Sequence, residues 1–131
     1  MTRHEAREQA FAVIFEKNFN ENISFQEIIE NAEESGLVKV NGFASSILKA
    51  VEDNYEKVDE VITGNLVGWT LQRLPKVTLA ILRLAVAEIL FLEEVPVNVS
   101  VNEAVEIAKT FATPEDASYV NGVLSSIVKK I

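Results

Sequence analysis

The reactive inventory of this chain is short, and its gaps are informative. Among 131 residues there is no cysteine and one histidine, His4. Disulfides, thiolate metal sites and cysteine nucleophiles are therefore excluded, and one chain cannot build a site needing two imidazoles. His4 stands at a terminus expected to be mobile, which argues against a preorganised Ser–His–Asp arrangement. The five glycines are scattered and form no phosphate-cradling loop. Carboxylates are plentiful, including Glu33-Glu34 and Glu93-Glu94. Their simplest reading is a solvated acidic surface, and no EF-hand or other metal spacing is present. The residues point to no catalytic group, no metal and no cofactor.

Binding chemistry is better represented. On a helix advancing about 100° per residue, Arg3, Arg7, Phe11, His4 and Phe15 share an arc of about 120°, while Glu5 points away. Arginine engages phosphates bidentately and aromatic rings stack on bases, so this stripe suits a small nucleic-acid edge. The plain alternative is an amphipathic helix whose arginines are solvated. Phe111 and the run Tyr119-Val120-Asn121-Gly122 form a second feature. An aromatic with an amide on the adjoining turn can stack on and hydrogen-bond an unpaired base. Equally, both aromatics can belong to the core, and Asn121 can be a helix-packing residue. Trp69 and Tyr55 read most simply as core or core-edge residues. Arg83 and Glu88 interrupt an apolar helix at i, i+5, a spacing that does not pair them. Arg83 suits a buried ion pair with another carboxylate, and Glu88 either that or a partner surface.

Bulk electrostatics run against nucleic acid. Twelve basic residues face 20 acidic ones, a net charge of −8, so RNA binding must come from a local patch. Hydrophobic residues make up 48% of the chain, enough for a packed core and too many for disorder. The length suits one domain, residues 1–131. The most apolar run, Val77 to Leu92, contains Arg83 and Glu88 and is too short and polar to cross a bilayer. With a polar start and no secretory signal, the expectation is a soluble, cytoplasmic protein without membrane contact.

Helical periodicity dominates the elements that must hold these side chains. Thr2/Glu5, Ser24/Glu27 and Ser100/Glu103 each fit a capping box, and Thr113-Pro114 supplies a cap followed by proline at the first helical position. These signals predict helices over about 3–18, 25–35 and 42–55, the third starting near Asn41 or Gly42, and a short one through Val58 and Ile62. A central helix is predicted from Lys76 to Glu93, apolar on nearly all sides. Val95 to Val99 reads as an extended linker before a helix over about 101–111, and a last helix covers about 115–130. Gly36 and Gly64 act as stops. Gly122 lies inside the last helix, where close approach of a neighbouring helix would explain a residue that costs about 1 kcal/mol relative to alanine. Val38–Gly42 carries no pattern. There is no alternating strand pattern and no internal repeat, so the fold class is all-α, about seven helices with short loops.

Together these segments resemble the NusB family of bacterial transcription antitermination factors. The likeness is carried by Ala6-Arg7-Glu8 with Ala10 and Phe15; by Gly68-Trp69, Arg73-Leu74, Ile81-Leu82-Arg83-Leu84-Ala85 and Glu88; by Val95-Pro96; by Val101-Asn102-Glu103-Ala104-Val105-Glu106-Ile107-Ala108-Lys109; and by Tyr119-Val120-Asn121-Gly122-Val123-Leu124. Their order and spacing match across essentially the whole chain. The resemblance implies two small helical bundles packed together and no enzymatic activity. It implies binding of boxA-type single-stranded RNA together with the small-subunit ribosomal protein NusE, acting indirectly on the RNA polymerase elongation complex, notably in ribosomal RNA operons.

Carried over residue by residue, the resemblance implies RNA contacts at Arg3, His4, Arg7, Phe15, Phe111, Glu115, Asp116 and Tyr119, and a NusE-facing position at Glu88. The basic motif is thinned here, since His4 and Glu5 stand where the family often has arginine. Fewer phosphate contacts mean weaker intrinsic RNA binding and more reliance on the partner. On this reading Arg7→Ala lowers RNA affinity without altering helical content. Two alternatives remain: a protein-interaction module without direct RNA binding, and a free-standing relative of the accessory domain of an RNA methyltransferase, which would show no cofactor-binding segment within these 131 residues. Some family members self-associate, so a homodimer is compatible with the same resemblance.

Overall fold

The computed structural model describes residues 1–36, 39–40 and 42–131. The described residues form seven α-helices and no strand: α1 Arg3–Phe19, α2 Phe25–Glu34, α3 Gly42–Asp53, α4 Tyr55–Thr63, α5 Lys76–Phe91, α6 Val97–Phe111 and α7 Pro114–Lys129, with a 3₁₀ turn at Leu71–Arg73 before α5. Leu37, Val38 and Asn41 lie outside the described residues, so of the proposed starts for α3 only Gly42 is seen.

Local chemistry sets most boundaries. The Thr2 hydroxyl accepts from the Glu5 N–H while the Glu5 carboxylate accepts from the Thr2 N–H, a closed capping box at the head of α1. Thr113 and Asp116 repeat it at α7, behind Pro114. At α2 only half the box forms, with the Ser24 hydroxyl accepting from the Glu27 N–H. Gly36, at φ +77°, turns the chain just past α2, where a side chain would be strained.

The predicted capping box at Ser100/Glu103 is not formed. α6 begins a turn earlier, at Val97, and Ser100 lies inside it, buried. Pro96 presets the entry, and its carbonyl accepts from the Val99 and Ser100 N–H groups. Of the residues expected to form an extended linker, Val97 to Val99 are therefore the first turn of α6, while Val95 and Pro96 stay outside the helix.

α5 is buried along nearly its whole length, and Ile81, Leu82, Leu84 and Val86 have no exposed surface. Burying each such side chain contributes about 1.5–3 kcal/mol. α5 packs against α1, α3, α4, α6 and α7. Two small helical groups thus share α5 as a common wall, and α1 and α6 meet beside it. Among the described residues no helix is long and apolar enough to cross a membrane.

Candidate nucleic-acid interface

At the head of α1 the helix presents Arg3 outward and Arg7 inward. Arg3 is exposed, and its guanidinium lies 4.5 Å from the ring centroid of Phe43 on α3. Arg7 lies over the same ring at 5.1 Å, with only 2% of its side chain exposed. Its Nε and Nη2 donate to both oxygens of Glu88 on α5, at 2.9–3.1 Å. Glu88 is fully buried and also accepts from the Ser100 hydroxyl at 3.1 Å. The remaining Arg7 amino group, Nη1, donates to Glu103 of α6 at 3.4 Å. A bidentate, further hydrogen-bonded pair is the geometry that makes buried charge tolerable.

Two expectations are corrected here. Arg7 is not a surface cation, because its fork is consumed by Glu88 and closed off from solvent. Glu88 does not face a partner, because no part of it is accessible. The pair locks α1, α5 and α6 together. Sequence separation hid it: the partners are 81 positions apart, and helical periodicity speaks only to neighbours on one helix.

His4 is also tied down rather than loose. Its Nδ1 lies 2.7 Å from Glu103 Oε2, and its Nε2 faces Glu8 at 3.8 Å. The hydrogen bond to Glu103 raises the His4 pKa, opposed by partial burial. Glu5 is held below the usual carboxylate range by its bonds to Thr2.

Beside this ionic end runs a row of phenylalanines. Phe11, Phe15 and Phe19 recur every four residues on α1, with neighbouring centroids 5.8 and 5.0 Å apart. Phe111, at the end of α6, lies 5.1 Å from Phe11. Phe11 is buried and Phe15 partly so, but Phe111 is 49% exposed and Phe19 64%. Phe19 was missed in the sequence, although its i+4 spacing from Phe15 was the signal for it. Phe111 is thus both packed and presented, which neither simple reading of it anticipated.

The second feature is more constrained. Tyr119 is half-buried, and its hydroxyl donates to the Val67 carbonyl and accepts from the Val67 N–H, each at 3.1 Å. It clamps the loop before the 3₁₀ turn onto α7. Trp69, on that loop, is 49% exposed rather than a core residue. Asp116 is engaged in the α7 cap, whereas Glu115 is exposed. Gly122 faces outward, and a Cβ there would meet nothing within 4 Å, so close helix packing does not explain it. Arg83 makes the expected ion pair, with Nε and Nη2 on Asp59 at 2.9 Å, and its guanidinium lies 4.9 Å from the Tyr55 ring centroid. Burial opposes the Arg83 charge, but Asp59 outweighs it and the guanidinium pKa is raised. No group of His, Asp and Glu suited to a metal ion occurs among the described residues.

The fold and site define an all-helical protein in which the most buried ionic groups join helices, while an arginine and aromatic rings remain at the surface. The chain belongs to the NusB family, which it matches over residues 4–129. The transcription antitermination protein NusB of Oceanobacillus iheyensis is 40% identical over 128 residues, spanning 98% of this chain and 99% of that protein. The structure of T. maritima NusB superposes with a TM-score of 0.86 at 29% identity, covering 99% of this chain and 92% of its own. A chain in the crystal structure of antitermination factors NusB and NusE in complex with dsRNA gives a TM-score of 0.85 at 27% identity, with both chains fully covered.

Proposed function

We propose that this chain is a cytoplasmic, non-enzymatic transcription antitermination factor. Its 131 residues act as one RNA-binding domain that engages boxA-type single-stranded RNA together with NusE, and through them, indirectly, the RNA polymerase elongation complex. The observation that carries this reading is the end-to-end likeness to a chain from a solved complex of NusB and NusE with dsRNA; that the RNA bound here is single-stranded boxA is what the family resemblance implies. The exposed groups suit it. Arg3 supplies a phosphate contact, His4 adds charge when protonated, and the rings of Phe111 and Phe15 offer stacking faces. Tyr119 contributes its ring, since its hydroxyl is occupied, and Glu115 and Asp116 border the RNA beside it. Arg7 acts at one remove, by holding the helix that presents Arg3.

With Arg7 internal, direct phosphate contacts at this end are few, so RNA binding leans on the basic partner. This acidic chain attracts that partner by complementary charge. The same thinness favours a second reading, a protein-interaction module that never touches RNA. Fluorescence anisotropy with a boxA RNA and a scrambled control, with and without NusE at two salt concentrations, separates the two. Sequence-selective binding strengthened by NusE and weakened by Arg3→Ala supports the RNA reading. Equal or absent binding of both RNAs under all conditions leaves the protein module.

A further inference from the structure

A groove between α6 and α7 is uncharacteristic of this acidic molecule. It consists of two adjoining clefts of about 470 and 610 Å³ that share Asn121 as a wall. Val97, Val101 and Val105, spaced by four along α6, form an apolar, half-buried floor. Asn98 and Asn102 of α6 face it from one side and Asn121 of α7 from the other. All three asparagines are exposed, and within the described residues their side-chain amides make no hydrogen bond. Lys109 lines one cleft and Lys129 the other. No carboxylate lines either cleft among the described residues, on a chain with a net charge of −8. Glu106, beside Lys109, forms only an exposed i, i+3 pair with it at 3.5 Å, which holds the lysine weakly.

We propose that this groove is a track for unpaired RNA, extending the contact surface beyond Phe111 along the length of α7. The inference rests on the RNA reading above and names a part of the surface that reading leaves unassigned. Free amides present a donor and an acceptor together, the pattern that reads base edges, and the valine floor suits the faces of unstacked bases. Lysines toward the two ends meet the phosphates that the rest of the acidic surface repels. Phe111 ends the same helix two residues after Lys109 but about 200° around it, on the side packed against Phe11 of α1, so a strand stacked on its exposed ring reaches the groove by passing around the end of α6. From Pro114 to Lys129 the α7 wall runs about 22 Å at 1.5 Å per residue, which is room for several nucleotides.

The test uses Asn102→Asp and Asn121→Asp, which place one carboxylate in the groove at exposed positions the fold does not depend on. Asn22→Asp, on the exposed turn after α1, adds the same charge elsewhere. Anisotropy is read with the boxA RNA in the presence of NusE, and NusE binding is measured separately without RNA. Each groove variant should weaken RNA binding about tenfold, as loss of a base-edge contact does, with Asn22→Asp within about twofold and NusE affinity unchanged. Loss of NusE affinity in the groove variants would make the groove a protein-docking face and overturn the proposal. Unchanged RNA binding by both groove variants, with wild type binding and Arg3→Ala impaired, would remove the groove and spare the RNA reading. Failure of the wild type to bind RNA would remove both.

Discussion

At Glu88, truncation to alanine would strand the Arg7 guanidinium in a site with almost no access to water. Breaking a buried pair from one side costs about 3–5 kcal/mol, so Glu88→Ala should lower the unfolding free energy by that order in urea titrations. Arg7→Ala should do likewise, which replaces the expectation of lost RNA affinity at unchanged fold. Exchanging both residues for apolar ones of similar volume should recover most of the loss. An unchanged urea midpoint in Glu88→Ala would show that the pair does not hold the helices. His4 makes a smaller, pH-dependent contribution. Glu103 raises its folded pKa, Glu8 adds to this, and Arg7 opposes it. The folded state therefore binds the proton more tightly than the unfolded chain, whose histidine titrates near about 6.5. The stabilisation is complete below that value and disappears as pH rises through the higher folded pKa. The stability gap between wild type and His4→Gln should thus be widest in mild acid and close as pH rises through the raised folded pKa. A gap independent of pH would sink this account.

Gly122 isolates a single helical preference. It sits inside α7 with its open side to solvent, and an added methyl group touches nothing. Gly122→Ala should stabilise the protein by about 1 kcal/mol, seen as a higher urea midpoint at constant slope. A loss of stability would mean that the backbone there is constrained in some other way. Helices of this kind were largely legible in the sequence, because apolar spacing, Thr113-Pro114 and Gly36 act within a few residues of the boundaries they set. α6 was misplaced because Ser100 and Glu103 carry the letters of a cap while their side chains are used elsewhere, the hydroxyl on Glu88 and the carboxylate on His4 and Arg7. The candidate site was half legible for the same reason. Arg3, Phe111 and Tyr119 are near-surface features of single helices, whereas the burial of Arg7 and Glu88 depends on three helices meeting. Periodicity carries no information about that meeting.

Over the whole molecule, the distribution of cations decides how RNA can bind. Of the 12 basic residues, Arg7 and Arg83 are committed to ion pairs inside the fold, and Lys17 donates to the Glu21 and Ile23 carbonyls. Of the other nine, the proposed RNA surface contains Arg3 and the two groove lysines, joined by His4 when protonated, while Lys39, Lys49, Lys57, Arg73, Lys76 and Lys130 are exposed outside it, in a chain of net charge −8. For single strands the slope of log K against log salt is about −0.7 per phosphate neutralised. Two to four contacts therefore give a slope of roughly −1.4 to −2.8 for this chain without its partner. Association with a basic partner should be fastest at low ionic strength, because complementary charge mainly accelerates encounter. Adding that partner should steepen the RNA slope, since its own lysines and arginines bring further phosphate contacts. Anisotropy titrations across a salt series, with and without NusE, measure both slopes. A slope steeper than about −5 for the isolated chain would require about seven phosphate contacts, more than the α1 edge and the α6–α7 groove supply, and would place RNA on the cations exposed elsewhere.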